Sequence, residues 1–261
     1  MRMVLRLLVT VCGLLLLWQG IVWATGVPHF ILPDPVRVAQ RIVKDWALLL
    51  HHARFTVLEI VLGLILGILM GGLAALALTA SAAARRWLLP LLVISQAVPV
   101  FALAPILVLW LGYGIASKVA MATLIIFFPV TAAFHDGLRR TDPGWLDLAR
   151  TMGAGPWTLL RHIRLPAALP AFASGVRVAT AVAPIGAVVG EWVGASAGLG
   201  YLMLHSAGRV QIDLMFAALV VLAGIAVSLW ALVDTLLRRA LPWCPDSLAR
   251  SDSDPKDGPL P

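Results

Sequence analysis

The sequence predicts an all-α membrane protein with about six transmembrane helices. Hydrophobic residues make up 61% of the 261-residue chain and charged residues only 13%, and the mean hydropathy is +0.93. A soluble domain carries about 25% charged residues, so this composition requires lipid as part of the solvent. The apolar runs are long enough to cross about 30 Å of hydrocarbon, and backbone amides in lipid favour helices.

Six segments satisfy the length requirement, and they divide the chain into three parts. Residues 1–53 are predicted to hold the first span and a periplasmic amphipathic segment, residues 54–240 the main transmembrane domain, and residues 241–261 a disordered cytoplasmic tail. The predicted spans are residues 5–25, 54–79, 87–111, 118–135, 168–193 and 214–237.

The first span resembles a signal peptide, because Arg2 and Arg6 precede an apolar run. The run from Leu5 to Ala24 is about 20 residues, longer than a usual signal core, and no small-x-small cleavage site follows it. We therefore predict a retained helix. Three prolines end it, and Val36–Leu50 then has the pattern of an amphipathic helix at the outer surface.

The second and third spans contain helix-modifying residues. Gly63, Gly67 and Gly71 recur at a spacing of four and form a smooth face, which favours close helix packing within the subunit over a direct functional role. The third span holds Gln96 between prolines and is therefore predicted to be kinked or broken. These prolines are Pro90, Pro99 and Pro105.

The distribution of basic residues predicts that both termini are cytoplasmic. With this orientation thirteen Lys and Arg residues lie inside and six outside, with Arg177 within a span, as the positive-inside rule requires. The basic residues are spread between apolar runs and form no aromatic-laced patch, so the net charge of +7 does not indicate nucleic-acid binding.

The longest cytoplasmic connection, Asp136–Pro170, is predicted to fold. Asp142-Pro143 is typical of a helix start, and Gly153 of a left-handed helix end. A second short helix is predicted from Pro156 to about Arg164, ended by Pro166. Between the start and Gly153, apolar residues recur on one helix face. They are Trp145, Leu148, Ala149 and Met152.

A helix of about ten residues is marginal alone in water, so this apolar face must pack on its own bundle, on the membrane or on a partner. The residues themselves leave these three alternatives open.

This connection closely resembles the EAA loop of binding-protein-dependent ABC importer permeases. The family pattern is E-A-A, three residues, G, nine residues and I-x-L-P. Asp147 replaces the usual Glu and Leu148 the first Ala. The remaining matches are Ala149, Gly153, Ile163, Leu165 and Pro166, with Met152 on the same helix.

The resemblance covers about Phe55 to Trp243, and it implies the MetI-like fold of type I importers in the bacterial inner membrane. It also implies that the loop, from Asp147 to Pro166, docks on a separate ATPase subunit. That partner would bind ATP-Mg, whereas this chain would hold no cofactor. A substrate-binding protein and a second permease copy are the other implied partners.

Within the superfamily the chain looks most like the nitrate, sulfonate and taurine branch, and especially its hydroxymethylpyrimidine (thiamine-precursor) members. A sulfonate, taurine or nitrate permease is the alternative. The residues that carry this resemblance are Ser95–Pro105, Leu111–Gly114, Gly186–Ser196 and Gly198–Tyr201.

Polar residues within spans are costly and are often functional. Gln96 in the third span, and Glu191 and Trp192 at the outer end of the fifth, are candidates for the substrate pathway, for a gate or for contact with the binding protein. Structural hydrogen bonding is an equally good interpretation of Gln96 and Glu191. For Arg177, which can extend to the inner interface, and for Glu59, the structural interpretation is favoured.

Two other classes of protein are weighed against the permease. A secondary transporter usually has matching inverted halves, but here only one half carries a long cytoplasmic loop. An intramembrane enzyme needs a catalytic set, and the six histidines are scattered with no HExxH or GxSxG motif. We therefore predict that the chain is not an enzyme and binds no metal.

Overall fold

The computed structural model describes residues 2–243 of the chain, without the side chains of residues 2–8, 91, 93, 95–97 and 100. Most of the tail predicted to be disordered, residues 244–261, lies outside the described residues. Within residues 2–243 the regular structure is helical. The helices are α1 (Arg2–Thr25), α2 (Pro35–Lys44), α3 (Trp46–Ala80), α4 (Ala82–Ala97), α5 (Val100–Leu111), α6 (Ile115–Arg139), α7 (Pro143–Thr151), α8 (Pro156–Leu159), α9 (Leu165–Gly194), α10 (Leu199–Gly208) and α11 (Ile212–Ala240).

Four helical stretches among the described residues are long and apolar enough to cross a membrane. They are Trp46–Ala80, Ile115–Arg139, Pro156–Gly194 and Ile212–Ala240, and they contain the second, fourth, fifth and sixth predicted spans. The third predicted span is two helices, α4 and α5, separated at Val98 and Pro99. Val98 has an extended backbone, the conformation that a following proline imposes.

Helix α6 occupies the centre of the bundle, between α3 and α9. Glycines of both neighbours face it: a Cβ at Gly71 of α3 would lie 2.9 Å from the Phe127 carbonyl oxygen, and one at Gly186 of α9 would lie 2.7 Å from Ala122 Cα. The predicted packing face of α3 is therefore confirmed. Small and branched side chains fill the core between the glycines, including Ile60, Ala122, Ile126, Val130 and Ala183.

The amphipathic helix predicted over Val36–Leu50 is shorter in the structure. Asp34 caps α2, accepting a 2.9 Å hydrogen bond from the Arg37 amide, and α2 ends at Lys44. Asp45 interrupts the helical backbone, so Trp46–Leu50 form the first turns of α3.

The prediction that Pro166 ends the second loop helix is wrong. A π turn, Leu160–Arg164, joins α8 to α9 without a break. A proline ring within an α-helix clashes with the carbonyl four residues earlier, and the wider π turn relieves this crowding. Helical structure thus runs from Pro156 to Gly194, a stretch of 39 residues and about 58 Å at the rise of an α-helix.

Arg177 does not depend on the membrane interface for its partner. Its Nε lies 2.6 Å from Asp234 Oδ1 on α11, and Arg238 Nε lies 2.8 Å from the other oxygen of the same carboxylate. This ion pair joins α9 to α11 and satisfies a cation that the sequence suggested would extend towards solvent.

Two neighbouring glycines of α3 test the glycine-dependent packing. We expect Gly71→Val to destabilise the protein by about 1–3 kcal/mol, because the new side chain must displace the α6 backbone. Gly72→Val is the matched control, since a Cβ there would find only Phe172, at 3.9 Å. Thermal unfolding in detergent measures both, and equal melting temperatures for the two variants would contradict the packing.

Candidate functional site: the loop between α6 and α9

The loop between α6 and α9 begins with a capped helix, as the sequence predicts. Asp142 Oδ1 accepts a 2.7 Å hydrogen bond from the Gly144 amide, and Pro143 is the first residue of α7. Thr141, just before this cap, is buried and donates to the Leu138 carbonyl at 3.3 Å. These contacts fix the direction in which α7 leaves α6.

Gly153 ends α7 in the left-handed conformation that the sequence predicts, with φ of +82°. Its amide donates to the Arg150 carbonyl at 2.9 Å, and the Ala154 amide donates to the Ala149 carbonyl at 2.9 Å. A Cβ at Gly153 would find nothing within 4 Å. The glycine is therefore required for its backbone angles and not for space.

The faces of α7 differ in part from the predicted ones. Leu146 is buried, although it is absent from the predicted apolar face, and Ala149 is half-buried. The other predicted residues are exposed, together with a tryptophan of α8. The exposed apolar group of the loop consists of Trp145 (58% exposed), Leu148 (63%), Met152 (79%) and Trp157 (70%).

The rest of the EAA-like residues divide between the surface and the bundle. Leu165 packs against the buried residues Phe134, Leu138 and Ala168 at this end of the bundle. Ile163 is half-buried, whereas Asp147, Gly153 and Pro166 are exposed. Asp147 pairs with Arg150 at 2.8 Å on the helix surface, a contact that contributes little to stability because both groups are solvated.

A depression of about 360 Å³ lies on the loop, lined by Arg150, Ala154, Pro156, Leu159 and Arg164. The Nε atom of Arg164 is buried and has no hydrogen-bond partner among the described residues. That atom is closed to solvent, but the guanidinium groups of Arg150 and Arg164 border the depression and give it the positive charge that suits an incoming carboxylate.

Two of the three residues predicted for the substrate pathway, Glu191 and Trp192, are separated from the loop by the length of α9. Glu191 is 1% exposed and bonded within the bundle. Trp192 is 43% exposed, and its ring centroid lies 6.4 Å from that of Phe101 on α5. Gln96 belongs to α4, and its side chain lies outside the described part of the structure.

Sequence reasoning missed a buried polar cluster around Glu191. It contains His52 and Thr56 of α3 and Lys118 of α6, all at most 7% exposed, beside Glu59. Lys118 Nζ donates to the Gly194 carbonyl at 2.6 Å, to the Gly114 carbonyl at 2.9 Å and to the Tyr113 carbonyl. The signal that could have indicated this cluster is the presence of polar residues within apolar segments of the sequence. No group of three or more metal-binding side chains occurs among the described residues.

Comparison with known proteins gives a consistent result. Residues 63–242 match the family described as binding-protein-dependent transport system inner membrane component. A probable ABC transporter permease protein of Haemophilus influenzae is 56% identical, over 90% of this chain and 96% of its own. The formylaminopyrimidine transport permease protein of Halalkalibacterium halodurans is 38% identical, over 88% of this chain and 92% of its own. The riboflavin transport system permease protein of Chloroflexus aurantiacus is 39% identical, over 92% of this chain and 90% of its own.

Solved structures share the fold. A chain of an amino acid ABC transporter aligns with a TM-score of 0.60 at 17% identity, over 76% of this chain and 96% of that one. A chain of the MetNI methionine transporter aligns with a TM-score of 0.57 at 21% identity, over 77% of this chain and 96% of that one. These similarities confirm the predicted MetI-like fold. From the family match over most of its length and the 56% identical relative, the chain belongs to the membrane permeases of binding-protein-dependent ABC importers.

Proposed function

We propose that the loop between α6 and α9 is the docking surface for a separate ATPase subunit, which binds ATP-Mg and drives alternating access. The observation that carries this proposal is the exposed apolar group on a loop that is continuous with a transmembrane helix. Fully burying one such side chain contributes roughly 1.5–3 kcal/mol, so together they favour a partner over solvent.

Polar contacts would add specificity to this docking. Arg150 and Arg164, which line the loop depression, offer positive charge to an acidic side chain of the ATPase. Leu165 packs on the chain's own bundle, and Leu146 is buried, so neither belongs to the exposed group. Packing on the bundle and docking on a partner therefore involve different residues of the same loop.

The docked loop would act on the transmembrane domain (residues 54–240) through α9. Because the helical backbone from Pro156 to Gly194 is unbroken, movement of the loop must be accompanied by movement of α9. A homodimer of permeases, with both termini of each copy in the cytoplasm, gives two such loops for two ATPases. A substrate-binding protein would deliver the solute at the opposite membrane face.

The transported solute that we favour is a hydroxymethylpyrimidine-type thiamine precursor. The formylaminopyrimidine permease, 38% identical, supports this class, and the electrostatics of the spans agree with it. An anionic sulfonate, taurine or nitrate would be favoured by free positive charge near the pathway. Two cations within the described apolar helices, Lys118 and Arg177, are instead engaged with carbonyl groups and with Asp234.

The pathway for this solute would pass the break between α4 and α5. Trp192 is exposed there beside Phe101, so an aromatic surface is available for a planar ring. Gln96 belongs to α4, just before the break. Glu191 is buried, so it would influence this region through the position of α9 and not by contact with the solute.

Introduction of negative charge into the exposed apolar group of the loop tests the docking. We expect Leu148→Asp and Met152→Asp each to reduce ATPase copurification at least about tenfold, because a carboxylate would be desolvated in an apolar contact. Thr151→Asp is the matched control on the same helix, outside the apolar group. The wild-type complex should contain two copies of the chain per two ATPases. Unchanged copurification of both charged variants would exclude docking through this surface.

Two glycines of the loop separate backbone strain from added charge. Gly153→Asp should leave the protein in the membrane but uncouple uptake from ATP hydrolysis, because φ of +82° is unfavourable for a residue with a side chain. Gly155→Asp should transport normally, since the Gly155 backbone is extended (φ −74°, ψ 168°). Uptake and ATPase rates in proteoliposomes measure the effect, and normal coupling in Gly153→Asp would contradict it.

Reconstitution with the ATPase and the binding protein tests the solute and the energy source. We expect ATP-dependent uptake of labelled hydroxymethylpyrimidine that formylaminopyrimidine competes for and taurine does not. Competition by riboflavin would indicate a broader heterocycle specificity. Uptake that continues without ATP, driven by an ion gradient, would instead identify a secondary transporter.

A further inference from the structure

The end of α9 farthest from the loop is tied to the start of α10. Four successive backbone N–H groups there donate to buried side chains. Gly198 donates to His52 Nδ1 at 3.0 Å, Leu199 to Thr56 Oγ1 at 2.8 Å, and Gly200 and Tyr201 to Glu191 Oε2 at 2.5 and 3.3 Å. The first N–H groups of a helix have no partner within it, so these side chains complete the helix start.

The acceptors come from two different helices. His52 and Thr56 belong to α3, Glu191 to the last turn of α9, and Thr56 Oγ1 donates to Glu191 Oε1 at 2.6 Å. We call these three residues the α10 clamp. A carboxylate at a helix N-terminus is stabilised both by the N–H groups and by the helix dipole, and burial strengthens such contacts.

The local sequence is adapted to this contact. Gly198 has φ of +120°, and a Cβ there would overlap the Glu191 carboxylate. A Cβ at Gly200 would lie 2.8 Å from Glu191 Oε2. Glycine at both positions therefore allows the backbone to approach the carboxylate.

Glu59 of α3 adjoins the clamp. It is 3% exposed, and its carboxyl group is hydrogen-bonded to that of Glu191. A substitution of Glu59 would therefore disturb Glu191 as well. Thr123 of α6 is a buried threonine outside the clamp: it is 7% exposed, and its Oγ1 has no hydrogen-bond partner among the described residues.

We propose that Glu191, supported by Thr56 and His52, is a positioning residue that makes α10 move with α9 during transport. The inference rests on the proposed coupling role of the loop. Movement imposed at Pro156 by an ATPase reaches Gly194 through one continuous helix, and the clamp passes it to α10 at the other membrane face. Lys118, bonded to the Gly194 carbonyl, extends the same connection to α6.

Distances between the two copies of a homodimer test this proposal. Single spin labels at Val178 of α9 and at Leu204 of α10, which are 52% and 53% exposed, are placed in separate variants after Cys12 and Cys244 are replaced by serine. Double electron–electron resonance is then measured on the complex without nucleotide and with ATP trapped by vanadate. In the wild type we expect both distances to shift.

With Glu191→Gln we expect the Val178 distance to shift as before, the Leu204 shift to be lost, and uptake to fall at least about tenfold while ATPase copurification is unchanged. Thr123→Val, the matched control, removes a buried hydroxyl that has no hydrogen-bond partner among the described residues, and it should retain both shifts and uptake. Thr56→Val should reproduce the loss and Thr56→Ser should restore it, which keeps the test valid if Glu191→Gln does not fold.

Two results would overturn the inference, and they differ in what they say about the coupling role of the loop. If Leu204 still follows Val178 in both Glu191→Gln and Thr56→Val, the clamp does not transmit the movement and the inference is wrong, while the coupling role of the loop stands. If Val178 itself fails to shift on ATP trapping in the wild type, the coupling role fails, and the inference falls with it.

Discussion

The structure depends on the close approach of α3, α6 and α9. In a membrane the hydrophobic effect does not favour a neighbouring helix over lipid, because both are apolar. Helices therefore associate through van der Waals contacts and hydrogen bonds. The glycines of α3 and α9 bring their backbones against α6 on both sides. Three long helices thereby become one packed body, to which the loop at one end and α10 at the other are attached.

Two cations inside this body are paired, as a low-dielectric medium favours. Arg177 is neutralised by Asp234, and Lys118 is surrounded by backbone carbonyls. Both cations join separate helices, so they contribute connections between elements as well as avoiding a penalty. This explains why a chain with 13% charged residues still places several of them within its spans.

Much of the fold could be predicted from local patterns. Hydrophobic runs located the spans, Asp142-Pro143 and Gly153 delimited α7, and the glycines of α3 indicated a packing face, because each signal acts over a few residues. The predictions failed where neighbours along the chain override such signals. Pro166 was expected to end a helix but follows a π turn, and Leu50 was expected in the surface helix but belongs to α3.

The polar cluster could not be predicted for a different reason. Thr56 and Glu191 meet across 135 positions of the sequence, and no periodicity relates them. For Glu191, at the outer end of its span, a functional role and structural hydrogen bonding therefore remained equal alternatives. Leu146 was missed because the pattern that selected Trp145 and Leu148 identifies one face of a helix and does not say which face is buried.

The π turn at Leu160–Arg164 has a geometric consequence for the loop. Such a turn holds about one residue more than an α-helical turn, and one residue corresponds to a rotation of roughly 100°. The number of residues in the π turn therefore determines on which side of the α9 axis the residues of α8 lie. Deletion of one residue from this segment would restore an α-helical turn. Trp157 would then lie on a different side of the α9 axis, although the side chain itself is unchanged.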